Sequence, residues 1–228
     1  MRRGRVAYAA GMLAAGCLMA GVWVRGQGTS GKYHAAGLAM AGDIAYPMNS
    51  QAPGFVTLDV RLSASGTAQN VTVVRDVAPL TAAAQGALTS WQFTPATFDG
   101  QAVAGVMRVN VAFNPYNPSG VGLPGESLQA ASAGSSGDFQ PAQVLKANYA
   151  TYPPTTVASG TIVMQVHVGS DGKIHRVSVV SGRIGGLVGA ATKAAKAWSF
   201  SPATYKGQAV GSDVVVAYVF AAPQAGTR

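Results

Sequence analysis

WQFTPATFDGQAV, residues 91–103, returns as WSFSPATYKGQAV, residues 198–210, with nine identities and an aromatic-for-aromatic exchange of Phe98 for Tyr205. Working outward, the register persists upstream with a one-residue shift. Tyr46 and Pro47 answer Tyr152 and Pro153, Gly54 answers Gly160, and Val71, Val73 and Val74 answer Val177, Val179 and Val180. Two copies of one unit therefore account for most of the 228 residues, and a repeat of this kind decides architecture before any single residue does. A copy of roughly 75 to 90 residues buries only about 60% or a little more of the surface its unfolded chain exposes, so each is expected to lean on pairing or on a partner.

Within a copy the hydrophobic period changes twice. Residues 55–62 alternate Val56, Leu58, Val60 and Leu62 with Thr57, Asp59 and Arg61, the pattern of a half-buried strand, and Ile162, Met164, Val166 and Val168 repeat it. Asp171-Gly172 supplies a turn, with Ser65-Gly66 in its place in the first copy, since glycine takes positive φ at no steric cost. The returning strand holds Val177, Val179 and Val180, and the three-residue gap back to Ile174 points to a bulge. Leu187, Ala191, Ala194, Ala195 and Trp198 then fall on one helical face, as do Leu80, Ala84, Ala87, Leu88 and Trp91. Pro202 ends the helical path, Gly207 turns the chain, and residues 214–220 form a last apolar strand, matched by 106–113.

The expected fold is α+β: two tandem small domains, each a three-stranded antiparallel sheet with one packed helix, plus one N-terminal apolar helix. The expected boundaries are 1–30 for a membrane anchor or signal segment, 31–45 for a linker, 46–115 for the first domain, 116–140 for a Gly/Pro/Ser linker and 141–228 for the second domain. Residues 6–24 are nineteen uncharged residues, about 28 Å as a helix and close to the roughly 30 Å of a hydrocarbon core. Arg2, Arg3 and Arg5 precede them and only Arg25 follows closely, so the positive-inside bias places both copies outside the cytoplasm. A cleaved signal peptide and lipidation at Cys17, within LAAGC, are the alternatives, and all three export the repeats.

Charge is uneven. Residues 31–118 carry four bases and four acids, whereas 141–228 carry eight bases and two acids. Export argues against a nucleic-acid partner. The single cysteine, Cys17, lies outside both copies, so no repeat can form a disulfide or a thiolate metal site. His167 and His175 flank a turn without the further ligands a metal needs, and the serines lie away from any histidine–acid pair, so no catalytic residues, metal or cofactor are expected. Trp91 and Trp198, in register with apolar helix faces, are expected in the core.

The order YP, a glycine-led apolar strand, a Gly turn, a helix closing in W-x-F-x-P-A and G-Q-A-V before the last strand resembles the carboxy-terminal domain of TonB family proteins. The resemblance is carried by Tyr152, Pro153, Gly160, Asp171, Gly172, Trp198, Phe200, Pro202 and Gly207, and in the first copy by Trp91, Phe93, Pro95 and Gly100 with Tyr46, Pro47, Gly54 and Gly66. It implies an inner-membrane-anchored periplasmic protein that grips an outer-membrane receptor peptide, TonB-box-like, by adding it as a strand in support of energy-coupled transport. On that reading the binding edge is Asp213, Val214, Val215, Val216, Ala217 and Tyr218, with 105–111 as its counterpart. Residues 6–24 contain neither the Ser nor the His that family members use to engage inner-membrane motor proteins. The alternative is an envelope structural or adaptor protein without motor coupling, whose copies pair their own edges or whose basic second copy meets cell-wall polymer or anionic lipid.

Overall fold

The computed structural model of the chain describes residues 32–48, 50–128, 137–154 and 156–223. The apolar helix expected over 6–24, and with it the anchor, the signal and lipidation at Cys17, lies outside the described residues. Among the described residues no helix is long and apolar enough to cross a membrane.

The repeat is visible element by element. The first copy supplies β1 (Gly54–Leu62), β2 (Ala68–Arg75), α1 (Leu80–Leu88) and β3 (Gly105–Asn114). The second supplies β4 (Gly160–Val168), β5 (Ile174–Ser181), α2 (Leu187–Lys196) and β6 (Ser212–Phe220). The hairpins form as the alternation predicts. Val168 pairs with Ile174 but His167 with Arg176, which leaves His175 as the extra residue of a bulge; Gln69 is its counterpart, between Leu62–Ala68 and Arg61–Asn70. At the hairpin turns a Cβ on Gly66 would sit 2.6 Å from the Phe93 carbonyl oxygen and one on Gly172 2.9 Å from that of Phe200, so only glycine fits. Asp99-Gly100 and Lys206-Gly207 all have positive φ, the type I′ geometry that closes a two-residue hairpin, here between the short strands Ala96–Phe98 and Gln101–Val103 and between Ala203–Tyr205 and Gln208–Val210.

The two expected three-stranded sheets are one. The strand order β5-β4-β6-β3-β1-β2 runs across both copies, and β6 pairs with β3 in parallel while every other neighbour is antiparallel. Equivalent strands lying side by side and parallel are related by a half-turn about an axis along them, which turns one copy's sheet over relative to the other. The register agrees: Val109 pairs with Val215, whereas its repeat counterpart is Val216, so counterparts point to opposite faces. One core thus holds α1 with Val56, Leu58, Val60, Val109 and Val111 and also Val163, Val215 and Ala217. The other holds α2 with Met164, Val166, Val216 and Tyr218 and also Phe55 and Ala112.

The segments expected as linkers, 31–45 and 116–140, carry structure. Gly37–Met40 pairs with Gln92–Thr94, and residues of this arm join the α1 core. From 116–140, Glu126–Ser127 pairs with Lys146–Ala147 and Phe139–Gln140 with Thr204–Tyr205, and they lead into Gln143–Ala147 of the expected second domain, which pairs with Ser199–Ser201; Leu128, Phe139, Ala142, Val144 and Ala147 join the α2 core. Each copy's arm thus lies across the face that its own helix leaves bare on the opposite half. The reason is physical: apolar side chains on both faces of a central strand need a layer on each side.

Candidate functional site

Residues 213–218, expected as a vacant edge, lie inside the sheet. Val215, Val216, Ala217 and Tyr218 are paired on one side with Gln165, Met164, Val163 and Ile162 and on the other with Val109, Asn110, Val111 and Ala112. Val214, which pairs with Val166, is fully buried, as are these four. The counterpart edge, 105–111, is likewise taken, with β1 on one side and, from Val109 onward, β6 on the other. The signal for this was present in residues 214–220, VVVAYVF, seven apolar residues without alternation, which is how a strand buried on both faces reads.

Polar side chains close the seam and hold the arms across it. Asn110 Nδ2 donates to the Val215 carbonyl at 3.3 Å and Thr57 Oγ1 to Asn110 Oδ1 at 3.1 Å. Arg108, 2% exposed, forks onto Asp59 through Nε–Oδ1 and Nη2–Oδ2 contacts of 2.8 Å each, and its Nη1 reaches the Ala142 carbonyl of the second arm at 3.4 Å. Across the seam, Gln165 Oε1 accepts from the Leu38 amide of the first arm while its Nε2 donates to Asp213 Oδ2, and His167 Nδ1 lies 2.8 Å from Asp213 Oδ1. Thr161 Oγ1 accepts from the Ile44 amide and donates to the Ile44 carbonyl. Asp59 belongs to the polar side of the alternation in 55–62, and Arg108, Asn110, Gln165 and Thr161 carry no motif of their own; such positions look like a solvent face, which the arms in fact cover.

The motif residues build this frame. Trp91 and Trp198 are 5% and 4% exposed, in the core as expected. Trp198 Nε1 donates to the Asn148 carbonyl, and Tyr218 Oη donates to the same oxygen. Tyr46 Oη donates to the Ala52 carbonyl and Tyr152 Oη to that of Ala158, a matched pair of clasps six residues long. Phe93 and Phe200 are buried, and Pro95 and Pro202 pack behind Gly66 and Gly172. Pro153 is half-buried and Gly160 opens β4. Burial pushes the hydroxyls of Tyr33 and Tyr46 up to about 12, helped at Tyr33 by Tyr205, and raises Tyr149, whose hydroxyl also bonds to Glu126, and Tyr218. Asp171 accepts from the Lys173 amide, which lowers its carboxyl, and from His175.

His167 and His175 are each engaged by a carboxylate, with ring centroids 6.1 Å apart. Among the described residues no group of three or more His, Cys, Asp or Glu could hold a metal ion. What the sheet does offer are its two outermost strands, β2 and β5, each paired on one side only among the described residues.

A repeated strand–strand–helix–strand unit, joined to its twin through the final strands, defines a doubled α+β module. The chain belongs to the family described as Gram-negative bacterial TonB protein C-terminal, whose family model matches residues 44–115 and 149–221. No curated protein and no solved structure matches the chain.

Proposed function

We propose that the protein is a periplasmic envelope adaptor: a binding protein, not an enzyme, in which both TonB-family modules form one rigid body that presents its outer strands to partner proteins without motor coupling. The observation that carries this reading is the parallel pairing of β3 with β6, which spends both final strands on each other. Uptake of a receptor peptide at 213–218 would first require that ladder to part, exposing a row of backbone groups and the side chains of both cores. The absence of Ser and His from residues 6–24 favours the same reading.

The test is a titration of the full chain with a peptide matching a receptor's amino-terminal box, followed by amide hydrogen exchange. The amides of 213–218 are expected to stay as protected as in the free protein. A peptide that lifts and then replaces that protection would overturn the adaptor reading and restore strand addition at the final strand.

A further inference from the structure

The two outer strands have the same bulged geometry, but one is neutral and the other basic. On β2 the exposed positions are Ala68, Gln69, Asn70, Thr72 and Val73, none of them charged, and its one base, Arg75, is bonded to Glu126 at 2.8 Å. On and beside β5 stand Lys173, Arg176 and Arg183, with Lys193 and Lys196 on the exposed side of α2, which packs over it. None of these five has an ion-pair partner among the described residues; the acid in that hairpin, Asp171, is held by the Lys173 amide and His175, and Asp213 by Gln165 and His167. Edge strands do use cations to discourage pairing between copies, but β2 stands as an edge without free ones, so guarding the rim does not by itself require the charge on β5.

The two faces of β5 differ in a way that describes an occupant. Val177 and Val179 pair opposite Val166 and Met164 and pack at the margin of the α2 core, where they are half-buried. Arg176 and Ser178 pair opposite His167 and Gln165 on the other face and are exposed. An added strand alternates its side chains across the same two faces. Apolar residues toward α2 would extend the half-covered margin, and acidic residues toward Arg176 would meet uncompensated positive charge.

We propose that the outer edge of β5, Ile174–Ser181, docks an extended segment of a partner protein in which acidic and apolar residues alternate, added to the sheet as a further strand. This rests on the adaptor reading, since it uses an outer strand and leaves the seam intact. Backbone ladder bonds supply affinity and the cations supply selection and orientation.

The probe is a short synthetic peptide of alternating glutamate and valine, compared with its lysine–valine counterpart, added to the full chain and read by amide hydrogen exchange and by a binding titration. The glutamate peptide is expected to slow exchange along 174–181, the lysine peptide to leave it unchanged, and Arg176→Glu to weaken binding by roughly fivefold or more. Unchanged protection of 212–220 in the free variant confirms that Arg176→Glu is folded. Equal protection by both peptides, protection of 68–75 instead, or an effect confined to the α2 lysines and reproduced by vesicles of anionic lipid would each overturn the proposal. Lost protection at 212–220 on adding peptide would instead strike the adaptor reading itself.

Discussion

Asp59 and Arg108 form a pair that exists in one copy only. Their counterparts by the repeat are Gln165 and Val215, so the fold does not require an ion pair there, yet with both side chains almost fully buried, removing one partner strands a charge. Asp59→Ala is expected to cost about 3–5 kcal/mol, read from denaturant midpoints, and Asp59→Leu combined with Arg108→Met to recover most of it. Tyr33 offers the opposite case. Its hydroxyl is buried without a hydrogen-bond partner while its ring stacks on Tyr205 at 4.9 Å, so Tyr33→Phe should stabilise the protein by about 1 kcal/mol. Folding raises the Tyr33 and Tyr46 hydroxyls from 10.0 to about 12. The stability held by keeping them neutral is therefore complete below pH 10 and lost as the pH climbs from there through about 12. Denaturation midpoints across that window should fall, and less steeply in Tyr33→Phe.

At the scale of elements, what is local in the chain was readable and what is distant was not. The hairpins, the bulge at His175, the two helices and the Gly turns follow from spacing, because each is set by neighbours a few residues away, although the helices stop at Leu88 and Lys196, short of the tryptophans that continue their apolar faces. The union of β3 with β6 is set by contact between residues about a hundred positions apart and leaves only an indirect trace, the unbroken apolar run of 214–220. In the first copy even that trace is masked, since Arg108 and Asn110 interrupt β3, and nothing in their spacing says that an arm from the other copy will cover them. The first arm, rich in glycine and alanine, looks like a linker because backbone pairing with Gln92–Thr94 asks little of its side chains. The pairing of the final strand on both sides is hidden for the same reason: a family resemblance describes one module, and the vacancy of its rim depends on the neighbour.

For the whole molecule the continuous sheet and the crossed arms leave no plane along which one copy could melt while the other stays folded. Residues 31–228 form one compact unit. Calorimetry on the folded body should show a single transition with an enthalpy of about 140 kcal/mol near 60 °C, not two of about half that size, and calorimetric and van't Hoff values should agree. Two separated transitions would mean that the seam is weaker than either half.

A ladder shared by twin modules has a further consequence when both are encoded in one polypeptide. Separate subunits meeting through such strands would fall apart on dilution, whereas covalent linkage holds the partners at an effective concentration on the order of mM. The assembled state is therefore independent of how many molecules the cell makes, and a scarce protein keeps its rims as reliably as an abundant one.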